Sequence, residues 1–244
     1  MTENKVALIT GGAQRIGAAT ARLLHDAGMN IILHYRSSRD AAQTLQQELN
    51  EKRPNSTVLV QADLMAVNAH PALIKEAYQA WGRLDALINN ASSFYRTPLK
   101  QANEQHWDDL FGTNAKAPFF LAQAASGYLK QQQGCIVNMV DIHAERPLKE
   151  HTIYCMAKAS LVMLTKSLAK ELGPEIRVNA VAPGAIMWPD DIDEVTKQRI
   201  VSHTFLKRKG EPTDIANTIL FLIEQTNYIT GQIIAVDGGR SLHS

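Results

Sequence analysis

Cysteine, net charge and long apolar runs are all scarce in this sequence. Its 244 residues include only two cysteines, Cys135 and Cys155, which match no metal-ligand spacing and predict a reducing, cytoplasmic setting. There are 25 Lys and Arg against 24 Asp and Glu, and a net charge of +1 argues against a nucleic-acid partner. No apolar run approaches the length of a membrane span, and the first residues leave no room for a signal peptide.

The histidines, like the cysteines, do not show the spacing of metal ligands. His106, His143, His151 and His203 are scattered without the paired spacing of a metal centre. We therefore predict no metal, and we expect most of these side chains at the surface.

Short apolar, β-branched runs alternate with longer segments of helical period along the whole chain. This alternation predicts an α/β fold: one Rossmann-like, doubly wound domain over residues 1–244, with a seven-stranded parallel sheet and helices on both faces. The predicted strands are Val6–Thr10, Ile31–His34, Thr57–Val60, Ala86–Ile88, Cys135–Met139, Arg177–Val181 and Ile233–Val236. The predicted helices are Arg15–Ala27, Arg39–Glu51, Pro71–Trp81, Gln105–Lys130, Tyr154–Glu171 and Pro212–Glu224. The polar stretch Trp188–Lys209 shows the least regularity and is expected to be a mobile segment that covers a substrate.

A glycine-rich turn joins the first predicted strand to the first helix. The run Thr10-Gly11-Gly12-Ala13-Gln14-Arg15-Ile16-Gly17 lets the backbone approach a pyrophosphate, and the helix N terminus offers free N–H groups to it. Position between strand and helix makes this more than a simple turn. We predict a dinucleotide site here.

The end of the second strand predicts which dinucleotide binds. A site that prefers NAD carries a carboxylate at this point for the ribose hydroxyls, but His34-Tyr35-Arg36-Ser37-Ser38-Arg39 contains no acid. Arg36 or Arg39 can neutralise a 2′-phosphate, and the serine hydroxyls can donate to it. The predicted cofactor is therefore NADP(H).

With these features, the chain resembles the short-chain dehydrogenase/reductase family over nearly its whole length. The matching pieces are the glycine turn, Asp63-Leu64, Asn89-Asn90-Ala91, Asn114, the pair formed by Tyr154 and Lys158, and Pro183-Gly184. Arg15 stands where the family usually has a middle glycine. The resemblance implies an NADPH-dependent reductase, commonly a homotetramer, with Asn114, Tyr154 and Lys158 as catalytic residues. It implies cofactor contacts from Gly11, Arg15, Ile16, Gly17, His34, Tyr35, Arg36, Ser37, Asp63, Leu64, Asn90, Ala91, Ser92, Tyr154, Lys158, Pro183 and Gly184.

Tyr154 and Lys158 are one helical turn apart, so their side chains face the same way. An ammonium beside a phenol favours the phenolate, and on that basis we expect Lys158 to lower the pKa of Tyr154. Tyr154 would then serve as an acid–base group near neutral pH.

One position departs from the usual family pattern. The family has Ser thirteen residues before the tyrosine, and here that residue is Asp141. A carboxylate sets acceptor against acceptor beside a ketone oxygen, whereas it suits a substrate with N–H donors or a ring nitrogen that must be protonated. Together with Phe94, which can stack on a flat ring, this pattern is similar to the pteridine reductase branch of the family. That resemblance implies hydride transfer to a pterin, dihydropterin or dihydrofolate ring, with Asp141 as a catalytic residue beside Tyr154 and Lys158. It also implies a substrate site formed by Arg15, Ser92, Phe94, Asp141, Tyr154 and Trp188.

Two other functions remain open at this point. The chain can be a reductase of another carbonyl or imine, such as a ketoacyl thioester, although Asp141 counts against the carbonyl. It can also be a non-catalytic NADP(H)-binding sensor, although Tyr154 and Lys158 would then have no purpose.

Overall fold

The computed structural model describes residues 4–188 and 193–242. Seven strands form one parallel sheet in the spatial order β3-β2-β1-β4-β5-β6-β7. The strand order reverses between β1 and β4, and in such sheets ligands bind at the carboxyl edge beside this reversal. The strands are β1 Val6–Ile9, β2 Asn30–Tyr35, β3 Thr57–Gln61, β4 Ala86–Asn89, β5 Cys135–Met139, β6 Arg177–Pro183 and β7 Ile233–Val236.

Helices cover both faces of the sheet, which confirms the predicted α/β, Rossmann-like architecture. On one face α1, α2 and α8 bury Leu24, Leu45 and Ile215 against the strands. On the other face α3, α5 and α6 bury Leu73 and Leu121, together with Leu168, in a second core. The helices are α1 Arg15–Asp26, α2 Arg39–Lys52, α3 His70–Gln79, α4 Glu104–Phe111, α5 Ala117–Gln131, α6 Thr152–Leu172, α7 Glu194–Ser202 and α8 Pro212–Leu220. No helix in the described residues is both long and apolar enough to cross a membrane.

The predicted single helix Gln105–Lys130 is two α-helices joined by a π-helical turn. The turn spans Gly112–Lys116 and links α4 to α5 without a break in direction of the chain. The amide of Asn114 donates to the carbonyl oxygens of Leu110 and Ser93, both at 2.9 Å. Wide turns of this kind are frequent at functional sites, and this one fixes Asn114 at the sheet edge.

The expectation of an irregular segment over Trp188–Lys209 is wrong for its central part. Residues Glu194–Ser202 form α7, and the carboxylate of Asp193 caps it by accepting from the backbone N–H of Thr196 at 2.7 Å. No residue of α7 is buried, so the sequence carries no apolar period there. Residues 189–192 of this segment lie outside the described part of the chain.

Candidate active site

The glycine turn after β1 is held closed by backbone and side-chain contacts. Gly17 packs so closely against Gly11 that a Cβ added at Gly17 would lie 2.4 Å from the carbonyl oxygen of Gly11. The amide of Asn90 donates to the carbonyl oxygens of Thr10 and Gly11 at 2.9 and 3.0 Å. Asn90, predicted to touch the cofactor, is thus one of the residues that shape the turn. Ala91 lies against Gly11, because a Cβ added at Gly11 would be 3.1 Å from the Cα of Ala91.

Arg15 opens α1 in an uncommon conformation. Its φ is +53°, in the left-handed region that side chains rarely adopt, and its side chain is exposed. The preceding residue, Gln14, forms no side-chain cap on the helix. The helix therefore presents uncapped N–H groups and an arginine at the turn, which together suit a phosphate. Ile16 follows, half-buried, and packs toward the core.

His34 lies beneath the turn rather than beside a ligand. Its Nδ1 accepts from the backbone N–H of Gly11 at 3.2 Å, and its Nε2 donates to the carbonyl oxygen of Ala62 at 3.1 Å. Burial lowers the pKa of the imidazole to about 4, so the ring is neutral and both nitrogens are engaged. This leaves no ring nitrogen for the predicted cofactor contact, and the histidine instead supports Gly11.

Basic and hydroxyl side chains stand open at the end of β2. Arg36, Ser37 and Arg39 are exposed, and within residues 4–188 and 193–242 neither arginine forms an ion pair. Tyr35 differs, because it is buried and its hydroxyl donates to Gln61 at 3.4 Å. The side chains that can meet a 2′-phosphate are therefore Arg36, Ser37 and Arg39, with Tyr35 packed beneath them.

Tyr154 and Asp141 are in direct contact at the carboxyl edge of β5. The phenol of Tyr154 donates to Oδ2 of Asp141 at 2.7 Å, and Oδ1 of the same carboxylate accepts from the backbone N–H of His143 at 2.8 Å. Tyr154 is 4% exposed, whereas Asp141 is half-buried. The carboxylate thus points at the phenol.

The pKa of Tyr154 moves in the opposite direction from the one expected. Burial raises it well above the ordinary value of a phenol, and the negative charge and hydrogen bond of Asp141 raise it further. The expectation that Lys158 lowers this pKa is wrong for the free enzyme, because the carboxylate is in contact and the ammonium is not. Nζ of Lys158 is 5.7 Å from the centre of the ring. In this state Tyr154 is a neutral proton donor.

Lys158 is fully enclosed next to this pair. It is 2% exposed, and its ammonium donates to the carbonyl oxygen of Met139 at 2.8 Å. Burial lowers its pKa to about 8, and the charge of Asp141 partly opposes that shift. The lysine is therefore mostly protonated at neutral pH, although its pKa is only slightly above neutral.

Phe94 stands at the mouth of the site and not in the core. It is 45% exposed, and its ring meets Tyr154 edge-on with centres 4.8 Å apart. On the other side it stacks on His151 at 4.8 Å with an angle of 15° between the planes. The exposed part of the ring can receive a flat ligand beside the phenol.

Ser92 and Asn114 form a second polar pair near Phe94. The hydroxyl of Ser92 donates to the side-chain oxygen of Asn114 at 2.6 Å, and Ser92 is exposed while Asn114 is 1% exposed. Of these two predicted site residues, only Ser92 is accessible to a ligand in this conformation.

The remaining predicted site residues lie along the same edge of the sheet. Asp63 is exposed and accepts from the backbone N–H of Met65, whereas Leu64 is buried. Pro183 ends β6, and Gly184 is packed against Asp237, so that an added Cβ would lie 2.5 Å from the Asp237 Cβ. Trp188 is half-buried at the last described position before residue 193.

Two residues at the site were missed by sequence reasoning. His151, expected at the surface, is 8% exposed and stacks on Phe94. It lies three residues before Tyr154 on the same helical face, which was an available signal. Arg240 comes from the turn after β7 and is influenced by the charge of Asp141. In the described residues, no three His, Cys, Asp or Glu side chains group as metal ligands.

Comparison with known proteins places this geometry in context. Residues 11–241 match a family model described as enoyl-(acyl carrier protein) reductase. The chain is 39% identical over 281 residues to pteridine reductase 1 of Leishmania tarentolae, covering 97% of this chain and 96% of that protein. It is 36% identical over 244 residues to a 3-oxoacyl-(acyl-carrier-protein) reductase of Staphylococcus aureus, covering 98% and 99%. A hydroxy(phenyl)methylsuccinyl-CoA dehydrogenase subunit of Thauera aromatica is 35% identical over 246 residues, covering 98% of each.

Proposed function

The chain belongs to the short-chain dehydrogenase/reductase family of oxidoreductases, and from that premise we propose that it reduces a dihydropterin with NADPH. Overall identity does not choose the substrate, because relatives named for a pteridine, an acyl carrier protein and a coenzyme A thioester lie within a few percent of one another. The choice therefore depends on the chemistry of the side chains at the site.

The observation that carries the proposal is the carboxylate of Asp141 bonded to the phenol of Tyr154. A serine in that place would offer a ketone oxygen a second donor, whereas a carboxylate offers an acceptor and repels the oxygen. A pterin ring carries amine and ring N–H donors next to imine nitrogens. Such a ring can donate to Asp141 and accept from Tyr154 at the same time, which supports a pterin over a simple ketone.

The exposed ring of Phe94 supports the same substrate. A pterin is flat and aromatic, and stacking on a phenylalanine contributes about 0.5–1.5 kcal/mol beyond the burial of area. His151 braces the ring from behind through their parallel stack, and Tyr154 meets its edge. Phe94 is thus held in place before a ligand arrives, which lowers the entropy cost of binding.

The residues at the carboxyl edge suit a dinucleotide with a 2′-phosphate. The turn from Gly11 to Gly17 is packed so closely that an added Cβ at Gly17 would clash with the backbone, and the N–H groups at the start of α1 have no side-chain cap. Arg36 and Arg39 would hold the 2′-phosphate, and Lys158 would hold the ribose next to the nicotinamide. When bound, NADPH supplies the hydride, which adds to the carbon of a ring C=N bond.

Tyr154 supplies the matching proton. As the C=N bond becomes a single bond, its nitrogen takes the phenolic proton, so that one hydride and one proton are consumed for each ring bond reduced. The positive charge of Lys158 would stabilise the phenolate that remains, and half-buried Asp141 would pass a proton from solvent back to it. Asn114 fixes the hydroxyl of Ser92 at the edge of the same cleft.

A ketoacyl thioester is the second candidate substrate, and the Staphylococcus aureus relative favours it. In that case Tyr154 would protonate the ketone oxygen and Asp141 would have to turn away from it. The carboxylate is already tied to the backbone N–H of His143 through its other oxygen, so such a turn costs a hydrogen bond.

The test is a side-by-side assay of NADPH oxidation with dihydrobiopterin, dihydrofolate and a ketoacyl thioester. We expect the highest kcat/KM with a dihydropterin. Asp141→Asn and Asp141→Ser should lower that value by about 100-fold or more, the usual range for the loss of an acid–base group. Asp26→Asn is the matched control, since Asp26 is exposed at the end of α1 and pairs with Lys52.

Two results would contradict the proposal. One is a higher kcat/KM with the ketoacyl thioester than with any pterin. The other is pterin reduction by Asp141→Ser at the rate of the control variant, which would remove the carboxylate from the chemistry.

We also propose that the protein is a cytoplasmic homotetramer. Apolar side chains are exposed together on α4, α5 and α6, where Trp107, Phe119, Met156 and Met163 are each 40–62% exposed. Exposed apolar groups of this size, gathered on neighbouring helices, are typical of subunit contacts. Both cysteines are free and buried, in agreement with a reducing compartment.

A further inference from the structure

Arg240 lies at the carboxyl edge of the sheet, in the turn that follows β7. The strands β5, β6 and β7 are neighbours in the sheet, and all three end at the same edge because they are parallel. Asp141 follows β5, Gly184 follows β6 and Arg240 follows β7. Adjacent strand ends thereby bring Arg240 to the side of the site opposite the glycine turn.

The turn that carries Arg240 is firmly held. The carboxylate of Asp237 accepts from the backbone N–H groups of Gly239 at 2.8 Å and Ser241 at 2.6 Å. The carbonyl oxygen of Gly238 accepts from the backbone N–H of Phe205 at 2.8 Å. A turn fixed on both sides gives its arginine a defined position, which a flexible tail would not.

The guanidinium of Arg240 is half-buried without a partner of its own. Within residues 4–188 and 193–242 its side chain forms no hydrogen bond and no ion pair. Burial lowers its pKa, and the charge of Asp141 is the strongest of those that oppose the shift. A half-buried group with five N–H donors and no acceptor is costly unless a ligand supplies one.

We propose that Arg240 is a substrate-binding residue that donates to an oxygen acceptor of the substrate, across the cleft from Asp141. This inference rests on the proposed reductase function but not on the choice of pterin. The two side chains form a donor and an acceptor at one site. They select a substrate that carries an oxygen acceptor as well as N–H donors. In a pterin the acceptor is the ring carbonyl or a hydroxyl of the side chain.

The test compares Arg240→Met and Arg240→Lys with wild type. Met keeps the length of the stem and removes every donor, so we expect KM to rise by about tenfold to a hundredfold, the loss of a charged hydrogen bond. We expect kcat to change by less than about threefold and the NADPH affinity to stay constant, because Arg240 lies on the side away from the glycine turn. Lys should recover part of the loss. Arg208→Met is the control, since Arg208 is exposed and pairs with Asp214.

Two substrates locate the acceptor. Dihydrobiopterin has side-chain hydroxyls, and a dihydropterin with only a methyl group in that place has none. A rise in KM for both assigns Arg240 to the ring carbonyl, and a rise for dihydrobiopterin alone assigns it to the hydroxyls. KM unchanged for every substrate that wild type reduces overturns the inference and leaves the proposed function intact.

Two further outcomes keep the test decisive. Absence of turnover by wild type on pterins and thioesters alike would overturn both proposals. If Arg240→Met lowers the melting temperature, Arg240→Lys decides: a stable Lys variant with wild-type KM for both pterins would also overturn the inference.

Discussion

Arg15 allows backbone strain and ligand binding to be measured at one position. Its φ of +53° costs an ordinary side chain about 1–2 kcal/mol relative to the right-handed region, and glycine escapes that cost. The side chain itself is exposed, so its removal should change stability by less than about 0.5 kcal/mol. Strain of this kind is consistent with the proposed role of Arg15 in holding the cofactor phosphate.

Two variants separate the backbone strain at position 15 from the contribution of the arginine side chain. Arg15→Ala removes the side chain and keeps the strain, whereas Arg15→Gly removes both. Glycine also loses about 0.4–1 kcal/mol of stability through the greater freedom of the unfolded chain, so the midpoints of the two ranges leave a net gain of about 0.8 kcal/mol over alanine. For a chain of this size each kcal/mol corresponds to about 2–4 °C. We therefore expect the Gly variant to melt about 1–4 °C above the Ala variant, with the Ala variant close to wild type.

NADPH binding should not distinguish the two variants in the way that stability does. Both variants lose the guanidinium, so NADPH affinity should fall by about tenfold to a hundredfold in each, as for one charged hydrogen bond to phosphate. Scanning calorimetry and titration of NADPH by fluorescence measure the two effects on the same samples. A Gly variant no more stable than the Ala variant would refute the strain. Wild-type affinity in both would refute the phosphate contact.

Two other predictions use the charges at the site. The folded pKa of Lys158 is about 8, below its ordinary 10.5, so the unfolded chain binds this proton more tightly. The stability of the free enzyme should therefore rise as the pH increases from 8 to 10.5, and it should show no further loss on acidification below 8. The full effect is about 3 kcal/mol, and Lys158→Met should flatten that part of a pH series of urea melts, whereas a series identical to wild type would contradict the assigned burial. Arg36→Gln should weaken NADPH by about tenfold or more and leave NADH unchanged in coenzyme titrations. An equal loss for both coenzymes would show that Arg36 does not meet the 2′-phosphate.

The strands could be predicted because strands buried on both faces appear in the sequence as uninterrupted apolar runs. Runs such as Cys135–Met139 are buried on both faces and are therefore apolar without interruption. The helix Glu194–Ser202 was missed for the opposite reason, since none of its residues is buried. The π-helical turn at Asn114 depends on its bond to Ser93, a contact from another segment that no local pattern encodes.

The candidate site likewise has features that could be predicted from the sequence and features that could not. Spacing in the sequence identified Asp141, Tyr154 and Lys158, because a fixed helix and a fixed loop carry them. It did not give the direction of the Tyr154 pKa, which depends on a 2.7 Å contact and on burial. Arg240 was out of reach for sequence reasoning, because only the order of the strands brings the end of the chain beside Asp141.

The contact between Asp141 and Tyr154 also explains how this site can distinguish substrates. In the free enzyme the phenol of Tyr154 donates its hydrogen bond to the carboxylate of Asp141. A substrate must therefore displace that hydrogen bond before it can receive the phenolic proton. A ligand with an N–H donor can replace the phenol as the partner of Asp141, and the freed phenol then turns to an adjacent ring nitrogen. A ketone brings an acceptor alone, so Oδ2 of Asp141 would lose the partner that it has in the free enzyme, at a cost of about 1–3 kcal/mol. Under the proposed function, the substrate is selected by its ability to replace the hydrogen bond between Tyr154 and Asp141, which a pterin can do.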